Sequence, residues 1–154
     1  MNLAGNQFLT FVLGSEVYGI EIAYIREILT YPKVTSLPNT VDYIKGIVNL
    51  RGAVTPILDL RLKFTTTSDP EYTDTTIVIA ILDKDNNQFG LVVDSVSDII
   101  TIDNNQLLPA PTMGGAVNSK YLKGIIENDS KMILIMDTGN LLAQEELAKL
   151  KEMA

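Results

Sequence analysis

The sequence predicts a mainly β fold, made of two small, strongly twisted barrels that arose by internal duplication, with short helical turns and a C-terminal α-helix. Three observations carry this. Tyr43 to Asp59 reads as two apolar strands meeting at an Arg51-Gly52 turn, because β-branched residues crowd both flanks and glycine can take the positive φ of a hairpin. This hairpin returns as Tyr121 to Asp137, with 13 residues from Gly46 to Asp59 and again from Gly124 to Asp137. Tyr18 to Leu29 repeats without a gap as Phe89 to Ile100, and the pairs Ile20/Leu91, Ile22/Val93, Ile25/Val96, Glu27/Asp98 and Ile28/Ile99 keep their character. Two matches in the same order imply a duplication. The expected division is one domain over 1–154, with a first barrel from 7–69, a second from 70–137 and a helix over 138–154, each barrel having mostly five strands.

The elements follow in order. Gln7 to Leu13 is rich in aromatic and β-branched residues and breaks at Gly14-Ser15, so it predicts a strand whose hairpin partner is Val17 to Glu21. Ile22 to Leu29 predicts a short helical turn unwinding into a strand. Pro32 and Pro38 bracket a further short strand, Lys33 to Leu37. Asn39 is placed to cap one turn through Tyr43, and Asp59 to cap another through Leu62. Thr65 to Pro70 is polar and marks the seam between halves. Thr75 to Leu82 is too short and too β-branched for a buried helix and predicts a central strand, with a turn at Asp83 to Asn87. Leu141, Leu142, Glu145, Glu146, Leu147 and Leu150 predict an amphipathic terminal helix.

Composition narrows the chemistry. The 154 residues suffice for an independently folded domain, at 46% hydrophobic and 20% charged. Cys and His are both absent, which removes disulfides, thiolate and imidazole metal sites, Cys nucleophiles and the Ser-His-Asp triad. A net charge of -7, with twelve basic residues and no two of them adjacent, opposes nucleic-acid and anionic-membrane partners. The longest apolar run, Ile77 to Leu82, falls far short of the roughly 20 residues a membrane helix needs. The N-terminus shows no secretory pattern, so the cytoplasm is expected.

The turns of the two hairpins differ. The first, Asn49-Leu50-Arg51-Gly52, shows an exposed Leu and an Arg, and the second, Glu127-Asn128-Asp129-Ser130, shows only polar turn formers. The Leu and Arg read either as a protein-binding anchor or as a plain solvated turn. Asp59 and Asp137 at matching strand ends read as caps rather than as a catalytic carboxylate pair. Glu21, Glu27, Asp94 and Asp98 read as a solvated strand face. Neither Asp83 to Gln88 nor Gly114-Gly115 spells a calcium or phosphate loop. Ile25, Ile28 and Val34 read as core, or as lining of a groove between barrels.

With Gln7-Phe8-Leu9-Thr10-Phe11, Tyr18-Gly19-Ile20-Glu21-Ile22, Ile44 to Gly52, Pro56 to Arg61, Gly90 to Val96 and Tyr121-Leu122-Lys123-Gly124 in place, the chain resembles the chemotaxis coupling protein CheW family over nearly its whole length. The resemblance implies two SH3-like five-stranded barrels around a shared core, no catalysis and no cofactor. It implies an adaptor joining the cytoplasmic tip of a methyl-accepting chemoreceptor to the regulatory domain of the histidine kinase CheA. Carried over by residue, Glu27, Ile28, Arg51 and Gly52 would meet the receptor, and Ile25, Val34 and Gly46 would lie at or near the kinase. Gly46 also reads as purely structural, as its twin Gly124 suggests. The Gln106 to Val117 loop would add a kinase contact. Two alternatives stay open: a coupling scaffold of a pathway controlling pili or development, and a carboxylate-based enzyme or ligand-binding barrel.

Overall fold

A computed structural model of the protein describes residues 7–38, 41–64, 67, 69–82, 86–109 and 121–141. Eleven strands are present among them: β1 Gln7–Leu13, β2 Glu16–Glu21, β3 Ile25–Thr30, β4 Ile44–Leu50, β5 Ala53–Asp59, β6 Ile77–Leu82, β7 Gln88–Val93, β8 Ser95–Thr101, β9 Leu107–Leu108, β10 Leu122–Asn128 and β11 Lys131–Met136. One turn of helix, α1 Leu60–Lys63, follows β5. The predicted helical turn before β3 is a 3-10 turn, Ile22–Tyr24. The Lys33 to Leu37 strand shrinks to a single bridge, Thr35 to Ile47, since the prolines on either side cannot donate to a ladder. The predicted terminal helix lies outside the described residues beyond Leu141, as do half of the Thr65 to Pro70 seam, the Asn39 cap, Asp83 to Asp85 and the loop after Pro109.

The strands form two sheets, in the orders β8-β1-β2-β11-β10-β9 and β3-β6-β7-β5-β4. This corrects the expected assignment of one barrel to 7–69 and the other to 70–137. Each half gives its first hairpin to the other half's sheet: β1 and β2 sit among β8 to β11, and β6 and β7 sit among β3 to β5. The duplication itself is visible in the register. Ile57 pairs in parallel with Gly90, and Ile135 with Gly19. The β4–β5 ladder shifts between Ile44 and Gly46, and the β10–β11 ladder shifts between Leu122 and Gly124. The backbone N–H of Asp59 donates to Tyr43 O at 2.7 Å, and that of Asp137 to Tyr121 O at 2.8 Å.

Alternation in the strands sends side chains to two sides of each sheet. Leu9, Phe11, Leu13, Tyr18 and Ile20 of the first hairpin meet Leu58, Ile79, Ile81, Leu91 and Val93 of the other sheet in one shared core. Full burial of such side chains stabilises by about 1.5–3 kcal/mol each. Each sheet also has a smaller cluster of its own: Phe8, Ile102, Ile126, Ile133 and Ile135 at one, Ile57, Val78 and Val92 at the other. Aromatic rings run through the shared core from Phe11 to Tyr18, Phe64 and Tyr121 at centroid separations of 6.0, 6.4 and 5.5 Å. The Lys63 ammonium lies 4.0 Å from the Tyr43 ring centroid and 4.8 Å from that of Tyr121, so one cation ties together a tyrosine and its repeat twin.

Candidate functional site

Both long hairpins close in two-residue turns with positive φ at each central position: 51° and 84° at Arg51 and Gly52, 51° and 65° at Asp129 and Ser130. Such turns match the right-handed twist of strands and favour Asn-Gly or Asp-Gly. Asn49 supports the first by accepting from the Gly52 N–H at 2.9 Å. An arginine at its first central position is unfavourable for the backbone, because left-handed conformation costs a residue with a Cβ about 1–2 kcal/mol. The turn therefore holds Arg51 against local preference, a cost that Ser130 also bears in the twin turn.

Arg51 reaches from the β4–β5 tip to β3, at the opposite edge of the same sheet. Its Nε donates to Glu27 Oε1 at 3.0 Å and its Nη2 to Glu27 Oε2 at 3.3 Å. The pair shows how far the sheet curls, since it links the first strand of the order to the tip of the last two. The guanidinium side chain is 72% exposed and the Glu27 side chain 28%. The hydrogen bond from Arg51 is the largest influence on the Glu27 carboxyl and holds it below its ordinary range, against a smaller opposing effect of burial. The pair is thus intact above the ordinary glutamate range and is lost as pH falls through the lowered value. A carboxyl-carbon NMR titration should give Glu27 a midpoint below 4.5, and Arg51→Asn should move it up toward that value; an unchanged midpoint would mean that the pair does not form in solution.

Ile28 follows on β3 and is 46% exposed, with Val54 beside the turn at 48%. Arg51 and Glu27 are thus brought together at the hairpin tip, with Gly52 beside Arg51 in the turn, while Ile28, the next residue of the strand, projects from the opposite face of β3. Leu50 is half-buried, which corrects the expectation of an exposed leucine. The other predicted group is not one exposed face. Ile25 packs on the shared core, and Val34 packs on the Ile57 cluster. Gly46 is buried at φ 146°, where an added Cβ would sit 2.0 Å from Thr35 O and 2.8 Å from Val34 Cγ1. Val34 and Gly46 are in contact range, with Gly46 serving as the floor beneath the 34–35 segment.

Of the acidic residues read as a solvated face, Asp94 and Asp98 are exposed, but three of the four carboxylates have partners, Glu27 being held by Arg51. Glu21 pairs with Lys123, and Asp94 accepts from the Gly14 N–H at 2.7 Å. Asp59 does cap α1, accepting from the Arg61 N–H at 2.9 Å, but it does more. Its carboxylate is fully buried and forks with the Arg61 guanidinium at 3.0 and 2.8 Å. The Tyr72 hydroxyl donates to the same carboxylate, and burial, followed by that bond, pushes the phenol well above its ordinary pKa. Arg61 also donates to Glu71 O at 3.2 Å. The Arg61 and Lys45 cations lie 5.1 and 5.2 Å from the Tyr72 ring centroid, and the Tyr31 ring lies 4.8 Å from it. The Asp59-Leu60-Arg61 spacing was the available signal for this latch, but a cap alone satisfies the same residues.

Known proteins share this architecture. Chemotaxis protein CheW of Klebsiella aerogenes is 40% identical over 150 residues, covering 97% of this chain and 89% of that protein. Chemotaxis protein CheW of Bacillus subtilis is 30% identical over 143 residues, covering 92% of this chain and 89% of that one. The crystal structure of the scaffolding protein TtCheW from Thermoanaerobacter tengcongensis superposes with a TM-score of 0.76 at 30% identity, over 86% of this chain and 84% of that one. The family model of the CheW-like domain matches residues 7–146, and with the paired sheets and the shared register this places the chain in the CheW-like family.

Proposed function

We propose that this protein is a non-enzymatic adaptor of chemotaxis signalling, which holds the cytoplasmic tip of a chemoreceptor against the regulatory domain of the histidine kinase CheA. The observation that carries the receptor half is the Arg51 turn: a guanidinium kept on an unfavourable backbone, exposed and pre-oriented by Glu27, with exposed Val54 beside the turn. Arginine beside apolar area is a strong anchor for a protein partner, because its fork is directional and its stem buries carbon. The twin turn has Asp129 and Ser130 in the same geometry and offers no such anchor. The buried carboxylate at Asp59 is occupied by Arg61 and Tyr72, so it is not available as a general base. Among the described residues no helix is long and apolar enough to cross a membrane, and the adaptor would reach the cytoplasmic receptor array through its partners.

On this reading the kinase contact forms around Val34, over the segment that Gly46 supports. The receptor face is tested by calorimetric titration with a receptor-tip hairpin. Arg51→Glu should weaken binding at least tenfold, about 1.4 kcal/mol, while changing stability by no more than about 0.5 kcal/mol. Arg51→Asn suits the turn better and should be at least as stable, yet it should also lose receptor affinity. Undiminished binding by both variants would remove Arg51 from the receptor face.

A further inference from the structure

In the five-stranded sheet, one polar contact is buried close to the Arg51 turn. Thr55 is fully buried on β5, and its hydroxyl accepts from Gln88 Nε2 at 2.7 Å and donates to Ala53 O at 3.1 Å. Ala53 directly follows Gly52, so the second bond ends on the residue that closes the turn against Leu50. Alternation puts Thr55 on the side of β5 that Ile57 occupies, Gln88 on the side of β7 that Val92 occupies, and Glu27 on the side of β3 that Leu29 occupies. Those three apolar residues all pack in the Ile57 cluster. Glu27, Gln88 and Thr55 therefore share one side of the sheet, with Thr55 between the cluster and the tip from which Arg51 crosses to Glu27.

The repeat supplies the comparison. Val17 and Ile133 stand at the positions of Gln88 and Thr55, and Asp98 and Asp129 at those of Glu27 and Arg51. The second half thus lacks both the polar relay and the ion pair, since its two carboxylates carry the same charge. A crevice of about 170 Å³ remains there, with Thr10, Val17, Asp98, Asp129, Lys131 and Ile133 in its lining. At the same end of the first half the Gln88 carboxamide lies over Thr55, and Arg51 reaches Glu27. A buried pair of polar groups adds little stability over apolar groups of the same shape, because its bonds in the fold replace bonds to water. Its contribution is geometric: bonds of fixed length and direction hold the first residue of β5, and with it the tip, in one position relative to β3 and β7.

We propose that Gln88 and Thr55 are positioning residues for the Arg51 anchor: the relay from β7 through Thr55 to Ala53 sets the turn where Arg51 meets Glu27. The relay concerns the free protein, and only its consequence for a receptor rests on the function proposed above. The test measures the Glu27 titration midpoint by carboxyl-carbon NMR in three variants, and receptor-tip affinity by calorimetry in the same proteins. The Arg51 hydrogen bond is the largest influence on that midpoint, and Arg26, which adds a smaller lowering, is left in place. Thr55→Val removes the hydroxyl and keeps the volume, so the midpoint should rise toward 4.5 and receptor affinity should fall about threefold. Gln88→Val together with Thr55→Val leaves neither partner without the other and imitates the twin. It should give the same rise, with Tm within about 4 °C of the unaltered protein. Thr55→Ser keeps the hydroxyl and loses a methyl, so the midpoint should stay low, whereas a packing role would make it the worse of the two single variants. A midpoint that stays low in a folded Thr55→Val or double variant, or that rises as much in Thr55→Ser, would overturn the assignment. The expected midpoints in a protein that does not bind the receptor tip would uphold the relay and refute the receptor reading alone.

Discussion

Asp59→Ala should cost about 3–5 kcal/mol of folding stability, because it leaves the Arg61 guanidinium in the protein interior without its counter-charge. Arg61 is only 7% exposed and Asp59 is wholly buried, so water cannot take the carboxylate's place without opening the structure. The same change strips the Tyr72 hydroxyl and the α1 N-terminus of their acceptor. At Asp137, where the carboxylate accepts from the Gly139 N–H and a glycine stands in place of the arginine, the cost should be smaller. Replacing Asp59 and Arg61 together by apolar residues should recover part of the loss, since a buried pair contributes less than breaking it costs. Urea denaturation of the three variants measures this. Equal, small losses at both aspartates would show that the latch adds nothing beyond a cap.

Gly46→Ala should be nearly as damaging, at about 2–6 kcal/mol, from backbone strain of about 1–3 and overpacking of about 1–3. The backbone there is at φ 146°, and the new methyl would fall 2.0 Å from Thr35 O, a backbone atom that cannot step aside as a side-chain end can. At Gly52 the φ of 84° also disfavours alanine, but no atom lies within 4 Å of the added Cβ, so a loss of about 1 kcal/mol is expected. Kinase affinity lost in Gly46→Ala would then follow from displacement of the Val34-Thr35 segment. Thermal melts separate the two effects: a Gly46→Ala variant of unchanged Tm that fails to bind kinase would make Gly46 a contact in its own right.

Much of the fold could be read from local chemistry. Alternation and β-branching marked β1, β2 and the central β6, the Arg51-Gly52 pair marked a tight turn, and Asp59 marked a cap. The duplication was legible because twin residues keep twin tasks, such as Gly46 and Gly124 beneath a neighbouring backbone. Partner choice between strands was not. Because the two halves have nearly the same apolar pattern, β1 and β2 satisfy β8 and β11 as well as they would the strands of their own half. The pattern is identical in both arrangements, so periodicity cannot choose between them. Arg51 stood out in the sequence because the turns of the two hairpins differ. Its pairing with Glu27 was hidden because it depends on the curl of a sheet, and the contact of Tyr72 with Asp59 because it depends on a residue arriving from a separate connection.

The adaptor account requires that both partners occupy the protein at once. The most direct measurement is a calorimetric titration of a receptor-tip fragment into this protein saturated with the regulatory domain of CheA, repeated with Arg51→Glu. The account predicts saturable receptor binding to the complex and its loss in the variant, with kinase affinity unchanged. Receptor and kinase displacing one another, or a folded protein that binds neither, would contradict it.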